Sequence, residues 1–274
     1  MRLAVALTLV LARFAGAEEP KDPSKDGPHS AGWHELSVPD DKEGATLAAE
    51  IYYPAAGAKE DAPPAEGGPW PVCVLSPGGP APSCQGFDDF GKRFASWGVV
   101  TVVVAFGDRP ADKRAPQFTV VRDWLAAQNG ADDFDLKGKL DTNVFISAGH
   151  SRGGAAAILA AADAKKWAGA VTFGAALRDL PKGYATPTCL IGAPEDKTLP
   201  GLYDAQKKPR FLAVVAGMDH FMKPASARAT VVAYCTAWLG ARFLKFAGFK
   251  SWISGDRGKK DLKDGVLAGF KSEE

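Results

Sequence analysis

Histidine and cysteine are scarce in this chain, four of each among 274 residues. The cysteines form neither a C-x-x-C pair nor a Cys/His spacing of the kind that holds zinc. A metal site and a cofactor are therefore not expected, and any chemistry that needs an imidazole has few candidates. Charge of one sign is also missing. With 33 basic and 32 acidic residues the net charge is +1, which offers no electrostatic footprint for nucleic acid or an anionic membrane. Long hydrophobic runs are absent too: no stretch approaches the ~20 apolar residues that cross a bilayer. What is present is 46% hydrophobic residues, enough for one large core and a substrate recognised by shape and apolar contact. The sequence leaves the oligomeric state open.

Arg2, the apolar stretch 3–12 and the small residues Ala15-Gly16-Ala17 before Glu18-Glu19 follow the order of a secretory signal peptide. This predicts cleavage after residue 17 and secretion, or delivery to an organelle through the secretory pathway. Residues 18–32, rich in Pro, Lys, Asp, Ser and Gly, read as a flexible leader. The domain is expected over 33–246, followed by a loosely held tail over 247–274, where Gly and Lys mix with scattered aromatics.

Within the domain, strands are expected at 35–38, 45–53, 70–75, 99–105, 144–148, 168–173, 188–191 and 210–215. Helices are expected at 87–97, 117–128, after residue 151 to 162, and 225–246. Strands alternating with helices predict an α/β fold with a mostly parallel central sheet flanked by helices. Cys73 and Cys189 lie in apolar runs and read as small buried hydrophobes. Cys84 falls in a loop and Cys235 on a helix, and the sequence leaves open whether they meet.

The densest signal is Gly149-His150-Ser151-Arg152-Gly153-Gly154, a G-x-S-x-G element between the apolar run 144–148 and the alanine-rich run 155–162. A strand, a tight turn and a helix together lift a serine hydroxyl above a sheet and turn free helical N–H groups towards it. Ser151 is thus the candidate nucleophile. Of the four histidines, His29 lies in the leader, His34 begins the first strand, and His150 precedes the serine, where its side chain is expected to point away from the catalytic side. His220 remains, on a loop leaving the carboxyl end of strand 210–215, where open α/β sheets place their chemistry. The orienting acid should lie between Ser151 and His220 in the chain. Strand 188–191 runs into Glu195-Asp196; Asp196 is favoured, with Glu195 expected in solvent, and Asp219 reads as a turn-stabilising residue. The oxyanion hole is assigned to the N–H groups of Arg152 and of Gly79 within Ser76-Pro77-Gly78-Gly79-Pro80, whose prolines carry no N–H.

These segments resemble the α/β-hydrolase superfamily, and more narrowly the bacterial-type polyester hydrolases and cutinases. The likeness is carried by Gly68-Pro69-Trp70-Pro71-Val72 leading to Leu75-Ser76-Pro77-Gly78, by Arg93-Phe94-Ala95-Ser96-Trp97-Gly98-Val99-Val100, by Gly138-Lys139-Leu140-Asp141-Thr142 ahead of the elbow, and by Pro187-Thr188 through Asp196 and Pro200. It implies an α/β-hydrolase fold and a serine carboxylic-ester hydrolase acting on small or lipid-like apolar esters, with the family's acid at Asp196. The family commonly has an aromatic residue where this chain has Gly79, and a Trp that finds no counterpart among Phe173-Gly174-Ala175-Ala176-Leu177. The resemblance therefore implies a weaker grip on aromatic polyesters. Gly-His-Ser-Arg-Gly-Gly is also the elbow of chlorophyllases, which keeps open a chlorophyllase-like or dienelactone-hydrolase-like enzyme. From another class, a ligand-binding protein could keep this fold without turnover.

Overall fold

The computed structural model describes residues 22–80 and 83–274, so the expected signal peptide lies outside the described residues. Nine strands form one sheet in the order β1-β2-β4-β3-β5-β6-β7-β8-β9. They are β1 (Ser30–Asp40), β2 (Ala45–Ala55), β3 (Trp70–Ser76), β4 (Val100–Val104), β5 (Leu140–His150), β6 (Gly169–Phe173), β7 (Thr188–Gly192), β8 (Arg210–Val215) and β9 (Leu267–Glu273). The run from β4 to β8 is parallel, whereas β1, β2 and β9 pair antiparallel at the edges. The helices are α1 (Asp88–Ser96), α2 (Ala111–Gln128), α3 (Arg152–Ala160), α4 (Leu199–Ala205), α5 (Ala225–Arg242), α6 (Lys250–Ile253) and α7 (Asp256–Lys263).

The unbroken apolar runs follow from burial on both faces. Side chains alternate along a strand, so Cys73 and Leu75 of β3 pack with Phe90 and Phe94 of α1 and Trp238 of α5. Val72 and Val74 of the same strand join Phe118 and Val121 of α2 and Ile158 of α3 on the other face. Both layers need apolar residues, which erases the period-2 signature. All four cysteines are buried and free; Cys84 lies with its thiol 3.2 Å from the Val103 carbonyl.

The chain departs from the sequence reading in four places. Helix α2 starts at Ala111, ahead of the expected 117, and runs through Pro116. That proline is exposed, so the carbonyl its missing N–H leaves unpaired can be hydrated. Helix α4 was not expected. The supposedly flexible leader is pinned from residue 22 onward: Trp97 Nε1 donates to the Lys25 carbonyl at 2.9 Å, the Gly27 N–H to Ser96 Oγ at 2.9 Å, and the His29 N–H to the Ser96 carbonyl at 3.1 Å. Nor is the tail loosely held. Phe249, Trp252, Ile253 and Leu267 are buried, and β9 pairs along β8 from Arg210↔Glu273 to Val215↔Leu267. The domain thus continues beyond 246, because apolar residues too thinly spaced to form a local pattern find their partners far back in the chain.

Candidate active site

Four chain segments meet at the carboxyl ends of the parallel strands. Strand β5 ends at His150 and α3 begins at Arg152, with Ser151 between them at φ 51° and ψ −116°, a conformation that an L-residue holds only when its surroundings enforce it. Two glycines make that turn possible. A Cβ at Gly149 would collide with the Gly153 carbonyl group, and one at Gly153 with the carbonyl of Ser76. The Ser151 N–H donates to the Phe173 carbonyl at 3.0 Å, fastening the elbow to β6.

His220 sits on the loop between β8 and α5. Its Nε2 lies 2.9 Å from Ser151 Oγ, and its Nδ1 lies 2.7 Å from Asp196 Oδ1. A carboxylate can only accept, so Nδ1 carries the proton and the Nε2 lone pair faces the serine hydroxyl. The other Asp196 oxygen, Oδ2, accepts the Ala193 N–H at 2.7 Å, which holds the carboxylate in one orientation. Glu195 is exposed, as expected, but it also takes part in the site: its Oε1 accepts the His220 backbone N–H at 2.7 Å. Neighbours on a turning loop thus serve one histidine, Asp196 through the ring and Glu195 through the main chain. Asp219 accepts the N–H groups of Phe221 and Lys223, as a turn-stabilising residue does.

His150 does not point away from the site. Its Nε2–H donates to the His220 carbonyl at 2.7 Å, and the two rings lie 5.1 Å apart. Burial pushes its pKa down to about 4, so the ring is a neutral donor at ordinary pH. The residue before the serine therefore latches the loop that carries His220. Local sequence holds no sign of this, since the two meet across 70 positions.

Arg152, the first residue of α3, has no intrahelical acceptor for its N–H. Its guanidinium pairs with Asp108 at 2.6 Å. Gly79 has φ 58° and lines the same cavity of about 430 Å³ as Ser151 and His220. Gly78 belongs to this wall as well: a Cβ there would lie 2.5 Å from His150 Nδ1 and 3.1 Å from the Ser151 Cβ. Phe87 and Phe221 bring apolar rings to the cavity. Phe221, beside His220, is 70% exposed.

Comparison with known families agrees with this architecture. The sequence profile of the PET hydrolase-like family matches residues 24–248, most of the chain. The chain belongs to the PET hydrolase-like family. It is accordingly an α/β-hydrolase and an ester hydrolase. No curated protein matches it. The family match ends just short of α6, so α6, α7 and β9 lie beyond it. No helix among the described residues is long and apolar enough to cross a membrane.

Proposed function

We propose that the chain cleaves carboxylic esters through an acyl-enzyme, with Ser151 as nucleophile, His220 as general base and acid, and Asp196 orienting His220. The observation that carries this reading is the unbroken hydrogen-bond line from Ser151 Oγ through His220 to Asp196, at 2.9 and 2.7 Å. Oγ attacks the ester carbonyl carbon while its proton passes to His220 Nε2. The carbonyl oxygen becomes an oxyanion, held by the N–H groups of Arg152 and Gly79. Collapse expels the alkoxide, which takes the proton from Nε2; water, activated in the same way, then releases the acid.

The substrates proposed are esters of short to medium aliphatic acids or apolar alcohols. Support comes from the apolar wall at Phe87 and Phe221 and from Gly79, which leaves no ring where the family commonly has one. One lost stacking contact is worth about 0.5 to 1.5 kcal/mol. p-Nitrophenyl butyrate should be turned over well and amorphous poly(ethylene terephthalate) film poorly, and fast release of product from the film would defeat this preference. Arg152, engaged by Asp108, gives no support to a carboxylate-reading pocket of the chlorophyllase kind.

The deciding experiment labels the protein with a fluorophosphonate and repeats the assay on Ser151→Ala. Wild type should label at Ser151, and the variant should stay folded, fail to label and lose about 10⁴-fold or more in kcat. Retained activity in Ser151→Ala would sink the reading, and a wild type that neither labels nor hydrolyses would favour a ligand-binding protein. We also propose export through the secretory pathway, with the mature chain beginning near Glu18, which N-terminal sequencing of the secreted protein would test.

A further inference from the structure

Arg114, in the first turns of α2, is fully buried at 0% exposure, an arrangement that is costly for a cation unless its donors are met. Among the described residues, every hydrogen bond it makes goes to a backbone carbonyl. Nη1 donates to Pro77 at 3.0 Å, Nη2 to Gly79 and, at 2.8 Å, to Gly107, and Nε to Arg109 at 2.9 Å. The first pair of acceptors lies on the loop after β3, where Gly78 and Gly79 wall the site. The second pair flanks Asp108, whose carboxylate holds the Arg152 guanidinium at 2.6 Å.

The geometry has a direction. In a trans peptide the N–H points opposite to the C=O, so drawing the Pro77 carbonyl towards Arg114 turns the Gly78 N–H to the other side. Neither the Gly78 nor the Gly79 N–H makes a hydrogen bond among the described residues. A charged donor on the Pro77 carbonyl also polarises the Pro77–Gly78 peptide, whereas the peptide of the Gly79 carbonyl ends in Pro80 and has no N–H, so that second bond acts by holding Gly79 itself, and with it the Gly79 N–H, in one place. One buried guanidinium thus grips both segments that border the serine: the Gly78-Gly79 wall directly, and Arg152 through Asp108.

We propose that Arg114 is a positioning residue for the anion-stabilising side of the site, fixing the donors that receive the oxyanion without touching the substrate. The proposal rests on the ester-hydrolase reading of Ser151. Its role is to place donors that matter only once negative charge has formed, so its loss should act on kcat rather than on KM.

Arg114→Lys and Arg114→Gln should therefore keep KM within about threefold while Arg114→Gln loses on the order of 10²-fold in kcat, the scale of a lost oxyanion donor, and Arg114→Lys loses less. A trifluoromethyl ketone adds Ser151 Oγ to its carbonyl carbon, sends the serine proton to His220 and leaves an alkoxide. Its inhibition constant should rise in step with the fall in kcat/KM, whereas binding of the matching uncharged alcohol should not change. A loss of thermal stability with unchanged kcat and unchanged ketone affinity would reduce Arg114 to a structural residue and overturn the proposal. If neither variant folds, the wild type decides. The Arg114 Nε–H resonance, slow to exchange in the free protein, should shift when the ketone adduct forms, and a resonance that does not move overturns the proposal. Ser151→Ala is assayed alongside: activity there defeats the site itself, whereas an inert Ser151→Ala beside a fully active Arg114→Gln defeats only the positioning role.

Discussion

Glu195 and Asp196 are chain neighbours of equal charge, separated by their burial and their hydrogen bonds: Glu195 is exposed and Asp196 is largely buried. Asp196→Asn keeps its one oxygen on the Ala193 N–H and turns an NH2 donor towards His220 Nδ1, which imposes the wrong tautomer and should cut kcat by about 10³- to 10⁴-fold. Glu195→Gln keeps an oxygen for the His220 N–H and should cost less than ~10-fold, since a neutral acceptor replaces a charged one. Steady-state kinetics on one ester ranks the two, and the reverse order would move the acid by one residue. His150 makes a separate prediction. Its folded pKa, near 4, lies below its ordinary 6.5, so between those values the unfolded chain binds a proton that the folded chain refuses. Stability is then full above pH ~6.5 and lost as pH falls towards 4, a contribution on the order of 3 kcal/mol. His29, also lowered by burial, adds the same sign. His150→Gln keeps a side-chain N–H donor and removes the titration, so the fall of Tm between pH 6.5 and 4.5 should become shallower; an unaltered slope would remove His150 from the account. Ser151 and His220 stood out in the sequence because a motif marks one and scarcity isolates the other. Arg114 is one of 33 basic residues, sits beside exposed Asp112 and Lys113, and meets its acceptors only after two distant loops have converged.

Among the elements, β3 to β8 were legible because full burial writes itself as runs of apolar residues. Strand β9 was not: Leu-Ala-Gly-Phe-Lys-Ser-Glu is half polar, as an edge strand should be, and its partner lies far back in sequence. Its anchor is Leu267, 2% exposed, opposite Val215 at the end of β8. Leu267→Ala should cost ~2–5 kcal/mol by leaving a cavity. For a domain of this size that is a fall in Tm of roughly 4–20 °C, readable by thermal circular dichroism. A melting point within a degree of wild type would mean that β9 adds little. The N-terminal edge misled in a different way: Pro, Lys, Asp, Ser and Gly compose residues 22–28, yet the leader's main-chain bonds to Ser96 and Trp97 need no particular side chains from the leader.

The whole molecule is nearly neutral, with 33 basic and 32 acidic residues, and the proposed substrates are uncharged. Electrostatic steering therefore contributes little, and kcat/KM on p-nitrophenyl butyrate should change by less than about twofold between 50 and 500 mM NaCl. A steep salt dependence would point to a charged substrate or surface. The sheet order also has a consequence in time. His220 leaves β8, and β8 is sandwiched between β7 and β9, the latter ending at residue 273. A chain still emerging from the ribosome carries Ser151 well before it carries His220, and carries both before β9, the strand that covers the far edge of β8. Under the proposed mechanism the serine stays an ordinary alcohol until those later residues have been made and have folded onto the sheet.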